Sequence, residues 1–270
     1  MTDCYLCDQG NKPHRKGTHG FGAAGLGMVD CVCPITREKL ETMMIDLRNA
    51  TLDMAVLDPE VRAKLDHWRK AGFHHLPMFL DQEQQQSAIE LVRDICKEAP
   101  LVYPRMPNGT PMSVRITNAG PLGWWSDENG GYRYTEKHPT TKRPWPDAPK
   151  DLLEIGRHAC WQAGITSPGF DCVAINWYEP TAKLGRHVDK SEQDLSAPIV
   201  SISLGDDAEF HMAGPERDDP AHKWILQSGD VCVMAPPSRN WYHAVHRILP
   251  AITSPLPKPG RLNLTIRKVT

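Results

Sequence analysis

The residues best suited to chemistry stand in Leu184-Gly185-Arg186-His187-Val188-Asp189-Lys190, where an imidazole and a carboxylate lie two positions apart. On extended backbone, residues i and i+2 leave the same face, so His187 and Asp189 can share one metal ion. The pair is expected at the end of a strand running from Asp171 to Tyr178 and in the loop after it. A third ligand must come from further along. His243, in Ser238-Arg239-Asn240-Trp241-Tyr242-His243, follows after several strand-like segments, a separation that suits a barrel closing on itself; His246 is its one rival. Two imidazoles and one carboxylate on one face of an octahedron, with three positions left for water, cosubstrate and oxygen, form the facial triad of non-haem Fe(II) oxygenases.

A second signal lies near the C-terminus. Arg261-Leu262-Asn263-Leu264-Thr265-Ile266-Arg267 alternates polar and apolar with a period of two, so Arg261, Asn263, Thr265 and Arg267 share one face of a strand. One reading of the strand alone is an edge strand with its polar side in water. Beside an iron triad, it reads as a clamp for a dicarboxylate, because a guanidinium fork binds carboxylate bidentately and two buried guanidiniums need anions. The dicarboxylate that matches is 2-oxoglutarate.

Positioning these groups requires a loop-rich β fold. The 24 Pro and 20 Gly fit that better than a helical bundle. Strands are expected over Met112 to Asn118, Cys172 to Tyr178, Ile199 to Leu204, Ala208 to Met212, Lys223 to Gln227, Val231 to Ala235 and Leu262 to Lys268. Helices are expected from Asp81 to Glu98, with Asp81 as the cap, and from Leu152 to Trp161; Phe79-Leu80 reads as a short strand. The class is α+β, mostly β with flanking helices, and the last six of those strands with their short connections form a double-stranded β-helix, or jelly roll. Around the Asn129-Gly130-Gly131 turn, Gly123-Trp124-Trp125 and Tyr132-Arg133-Tyr134 set aromatics beside basic residues. Such aromatics suit stacking on an extruded base, although a Trp near a hairpin is more often core.

The first part of the chain differs. Cys4-x-x-Cys7 and Cys31-x-Cys33 bracket a segment rich in Gly, His and Lys, and four thiolates can close a tetrahedral, structural Zn²⁺ site, with His14 and His19 as substitutes. Leu40, Met43, Met44 and Leu47, then Val61, Leu65 and Trp68, make helical stripes. The expected organisation is a zinc module at 1–34, a helical segment at 35–75 and the main domain at 76–270. Cys96, Cys160, Cys172 and Cys232 sit in apolar patterns and read as small buried hydrophobes. Lys and Arg number 31 against 33 Asp and Glu, a net charge of −2. Binding to nucleic acid must therefore rest on a local basic patch. With neither a spanning apolar run nor a signal peptide, the expectation is no membrane, a bacterial-type cytoplasm or nucleoid, and a monomer.

From about Pro107 to Val269 the chain resembles the AlkB family of Fe(II)/2-oxoglutarate dioxygenases, which oxidatively remove alkyl groups from nucleic-acid bases. The matching residues include Pro111-Met112-Ser113-Val114, Leu122-Gly123-Trp124, Tyr132-Arg133-Tyr134, Arg143-Pro144-Trp145-Pro146, Ile175-Asn176-Trp177-Tyr178, Ala182-Lys183-Leu184, Ser203-Leu204-Gly205, Ser238-Arg239 and Tyr242-His243. The Tyr-His step favours His243 over His246. The resemblance implies that Arg261 and Tyr178 hold the far carboxylate of 2-oxoglutarate, that Arg267, Asn176 and Asn263 secure the near end beside Leu184, and that Trp124, Tyr132 and Arg217 face the base. It also implies O₂ as co-reactant, alkylated DNA as substrate, and release of succinate, CO₂ and an aldehyde. Two residues depart from the DNA-repair members: Ser191 replaces a second Asp that contacts the base, and Met234 replaces a tryptophan. The alternatives are the same oxidation on RNA or on a protein side chain, and a non-catalytic nucleic-acid-binding protein whose barrel is a relic.

Overall fold

A computed structural model describes residues 59–270. Cys4, Cys7, Cys31 and Cys33, with the helical stripe up to residue 58, lie outside the described residues. The described part runs α1 (Pro59–Lys70), β1 (Phe73–Leu76), α2 (Gln82–Glu98), β2 (Val114–Ala119), β3 (Gly123–Asp127), β4 (Gly131–Thr135) and α3 (Lys150–Gln162). It continues with β5 (Cys172–Tyr178), β6 (Leu184–His187), β7 (Ile199–Gly205), β8 (Asp207–Met212), β9 (His222–Leu226), β10 (Val231–Met234), β11 (His243–Leu249) and β12 (Arg261–Arg267).

These strands form a six-stranded sheet in the order β1-β10-β7-β12-β5-β2, a four-stranded sheet in the order β6-β11-β8-β9, and the hairpin β3-β4. This is the jelly-roll arrangement that the strand pattern predicts. β12 is antiparallel to both β5 and β7, so the reading of it as a solvated edge is excluded. Its two faces separate as the alternation requires. Leu262, Leu264 and Ile266 join Val173, Ile175, Val200 and Ile202 in a core under α2 and α3, to which Ile89, Val92, Leu152 and Cys160 contribute. The opposite face of the large sheet carries Tyr178, Ile199 and Met234 into a second core with Phe210, Met212, Trp224 and Val245 of the small sheet. Arg261, Asn263, Thr265 and Arg267 are buried on that side.

Local chemistry sets the boundaries. Asp81 caps α2 through a reciprocal box, its Oδ1 accepting from Gln84 N at 2.8 Å while Gln84 Oε1 accepts from Asp81 N at 3.0 Å. Gly72, at φ +85°, turns the chain from α1 into β1, and a Cβ there would stand 2.3 Å from the Ala235 carbonyl.

Three expectations change. The strand expected at Phe79-Leu80 lies earlier, at Phe73–Leu76, paired with β10. Asp230 explains the shift, because its carboxylate accepts from Met78 N and lies 2.8 Å from His75 Nε2, turning the chain before Phe79. A domain boundary between 75 and 76 would cut β1, so the helical segment's last residues belong to the barrel. His187 does not lie in a loop after β5; it ends a separate strand, β6, in the other sheet.

Candidate metal and cosubstrate centre

β6 and β11 are antiparallel neighbours, and their register sets His187 directly opposite His243. The ring centroids are 4.4 Å apart. Asp189 follows β6 by two residues and turns its carboxylate between the rings, with Oδ1 3.7 Å from His187 Nε2 and Oδ2 3.8 Å from His243 Nε2. One ligand atom from each of the three lies within 4.8 Å of the others, a spacing that could hold a metal ion.

Both rings are oriented in the same way. His187 Nδ1 donates to Gly185 O at 2.9 Å and His243 Nδ1 donates to Trp241 O at 3.2 Å. A carbonyl can only accept, so the proton sits on Nδ1 in each ring and the Nε2 lone pair is left for a metal. Burial, and then the neighbouring His187, push His243 down to about 4, which favours the neutral, ligating imidazole. His246 is exposed and stacks on His211 instead.

Behind the carboxylate lies a buried charge network. Burial alone would raise the Asp189 carboxyl, but Arg267, followed by the two imidazoles, outweighs it and holds the group well below the usual carboxylate range. Arg267 Nη2 donates to Asp189 Oδ2 at 3.0 Å, and its Nη1 donates to Glu192 Oε1 at 2.5 Å. Glu192 also accepts from Tyr134 OH at 2.6 Å and from Arg239 Nη2 at 3.0 Å. Arg239 completes the loop by donating to the main-chain carbonyls of Ala197 and Asp189. The sequence pattern named none of Glu192, Arg239 and Tyr134 for a role at the site. Ser238-Arg239 and Tyr134 stood within matched motifs, and Glu192 carried no periodic signal.

The residues expected to meet the cosubstrate share the interior between the sheets, whereas those expected to face the base lie on the hairpin and a loop. The β12–β5 register pairs Arg261 with Tyr178 and Asn263 with Asn176. Arg261 Nη2 donates to Ser203 Oγ at 2.9 Å, its Cζ lies 5.4 Å from the Tyr178 ring centroid, and its Nε and Nη1 are buried without a hydrogen-bond partner in the protein. Burial lowers the pKa of this guanidinium. Asn263 Nδ2 donates to Ser201 Oγ and Ile202 O, and Leu184 lines the second core. On the hairpin, the Trp124 and Tyr132 rings stack at 5.9 Å and 20°, with Tyr132 exposed. Arg217 stands in the loop between β8 and β9, its guanidinium 6.0 Å from the Tyr242 ring centroid. The family model of the 2OG-Fe(II) oxygenase superfamily matches residues 72–267.

This chain belongs to that superfamily. Within it the chain falls in the AlkB family. It is 42% identical over 198 residues to an alpha-ketoglutarate-dependent dioxygenase AlkB homolog of Caulobacter vibrioides, covering 73% of this chain and 87% of the relative. It is 39% identical over 183 residues to alpha-ketoglutarate-dependent dioxygenase AlkB of Escherichia coli, covering 68% and 84%. The solved structure of OsALKBH1 superposes with a TM-score of 0.62 at 29% identity, covering 73% of this chain and 98% of that one. The chain is therefore a 2-oxoglutarate-dependent dioxygenase, working with Fe(II), 2-oxoglutarate and O₂. The residues present fit those groups, since two imidazoles and a carboxylate converge on one point and the buried Arg261 guanidinium has nitrogens left to donate.

Proposed function

We propose that this dioxygenase oxidatively dealkylates N-alkylated bases in DNA, with His187, Asp189 and His243 holding Fe(II). The observation that carries the reading is Arg261. A fully buried guanidinium with two unpartnered nitrogens, in the same interior as the triad, calls for an anion, and a relic barrel would gain nothing from keeping it. Arg261 and Tyr178 would receive the far carboxylate of 2-oxoglutarate. Arg267, whose Nε is also unpartnered, would meet the near end with Asn176 and Asn263.

When bound, the iron supplies activation of O₂ coupled to decarboxylation of 2-oxoglutarate, delivering one oxygen atom to succinate and the other to the alkyl C–H bond. The chain's residues orient and shield. The stacked Trp124 and Tyr132 offer π-faces to an extruded base, and Arg217 offers charge to phosphates. The apolar second core keeps water from the reacting groups. The hydroxyalkyl group left on a base nitrogen then breaks down to aldehyde and repaired base.

Ser191 favours a second arm of the reading. Where the resembled DNA-repair members contact the base with an Asp, this chain has a neutral hydroxyl, so RNA belongs in the assay. The experiment measures succinate and formaldehyde from purified protein with Fe(II), 2-oxoglutarate and methylated DNA or RNA oligonucleotides. Aldehyde formation that depends on DNA, and that is abolished with loss of iron in Asp189→Ala, is the expected result. Turnover stimulated by RNA alone would move the substrate to RNA. Full activity in Asp189→Ala, or no stimulation by either nucleic acid, would overturn the reading.

A further inference from the structure

The loop from Ala213 to Ala221, between β8 and β9, carries Arg217 on its exposed tip. Its stem is fixed to the metal strand's neighbour, with Ala213 N donating to Tyr242 O at 2.8 Å and Tyr242 N donating to Gly214 O at 3.1 Å. Its turn closes on itself, as Asp219 Oδ2 accepts from Glu216 N at 2.9 Å and Asp219 N donates to Glu216 O at 3.2 Å. Neither set of bonds ties the tip to β6.

That bond comes from Arg186, the residue immediately before His187. Leu184 packs on the second core while His187 stands opposite His243, and the register irregularity between these two pairings, with one extra residue on β6, turns Arg186 out of the regular alternation. There Arg186 Nη1 donates to the main-chain carbonyls of Arg217, at 2.5 Å, and Asp219, at 3.0 Å. Charge-assisted bonds to two carbonyls on one turn fix both its distance from β6 and its tilt. Bonding the carbonyl of Arg217 itself sets the direction in which that residue's Cα–Cβ bond leaves the loop. The strand that ends in a metal-ligand candidate thus also aims the substrate-side arginine.

We infer that Arg186 is a positioning residue for substrate binding: it holds the 213–221 loop so that Arg217 meets the nucleic acid, without itself touching substrate or the reacting atoms. The inference rests on the proposed nucleic-acid reading for its kinetic consequence, and on the hydrogen bonds alone for its structural one. The test therefore has two readouts. In Arg186→Ala, amide hydrogen exchange in peptides covering 213–221 becomes faster by about tenfold or more, the scale of one charge-assisted hydrogen bond, while exchange in β5 and β12 is unchanged. Arg186→Lys, whose ammonium can still donate to both carbonyls, recovers most of that protection.

The second readout is steady-state kinetics on a methylated oligonucleotide. The KM rises about tenfold in Arg186→Ala with kcat within about twofold, and Arg186→Ala/Arg217→Ala is no worse than Arg217→Ala, because both changes remove the same contact. Unchanged loop exchange would overturn the positioning role whatever the substrate is. Additive effects in the double variant would overturn it too, since Arg186 would then bind substrate directly. A wild-type enzyme inactive on every nucleic acid would instead sink the functional reading, and the exchange result would still judge Arg186.

Discussion

Replacing Arg261 by Met keeps the aliphatic stem and removes the fork, so it isolates the charge from the packing. The guanidinium is 1% exposed, one of its nitrogens is bonded to Ser203 Oγ, and two are unpartnered. A buried, charge-assisted contact between this guanidinium and a carboxylate, made through Nε or Nη1 with the second hydrogen of Nη2, contributes about 2 to 5 kcal/mol, or roughly 30-fold to several thousand-fold in cosubstrate affinity. Thermal unfolding under anaerobic conditions with Fe(II) reads this without turnover. At a 2-oxoglutarate concentration of 100 Kd the wild type gains about 2.7 kcal/mol, whereas a variant weakened about 100-fold gains only about 0.4 kcal/mol at that concentration. For a domain of this size the wild-type Tm then rises by about 5 to 11 °C and the variant's by about 1 to 2 °C. Without cosubstrate the sign reverses, because the variant no longer buries a charge that lacks its partner, and its Tm is no lower than the wild type's. A variant that keeps the full cosubstrate-induced shift, or whose KM for 2-oxoglutarate stays within about twofold, would refute the clamp.

Glu192→Gln removes the anion that Arg267, Arg239 and Tyr134 share. Breaking a buried pair on one side costs about 3 to 5 kcal/mol. The expected Tm drop is about 6 °C or more, accompanied by weaker iron retention, because Arg267 is then left to Asp189 alone; a Tm within about 2 °C of wild type would show that the network contributes little. For the first 34 residues, metal analysis of the full chain is expected to find one zinc besides the iron. Cys4→Ser/Cys7→Ser should lose that zinc and keep the iron. A zinc content near zero in the wild type, or zinc retained in the variant, would end the Cys₄ reading.

What could be read from the sequence follows the range of each interaction. The cap of α2 needs only Asp81 and Gln84, and the faces of β12 follow from alternation over seven residues, so both were legible without a fold. β5 was found at its observed bounds as a short, almost wholly buried run. β6 and β11 were not. One has four residues, and the other shifts register between His243 and Val245 and again between Val245 and Arg247, which breaks the period of two. Yet these two strands bring His187 and His243 face to face. The triad was legible as residue types and spacing, while its geometry depends on a pairing between distant segments. Glu192 was invisible in turn because its partner Arg267 lies 75 positions away.

The two arginines of β12 show why alternation alone assigns them too simply. By pattern Arg261 and Arg267 are equivalent, since both point inward and both invite a carboxylate. In the fold Arg267 already has two carboxylates, Asp189 and Glu192, and they raise its pKa further against the cost of burial. Its charge is thus part of the ground state, and it stabilises the anionic form of a metal-ligand candidate before any cosubstrate arrives. Arg261 has a serine and an aromatic ring, and burial lowers its pKa. Its electrostatic energy stays unspent until an anion binds. Affinity for the dicarboxylate should therefore rest mainly on Arg261, while Arg267 acts first on the fold and on Asp189; one strand uses the same side chain at its two ends for binding and for preorganisation.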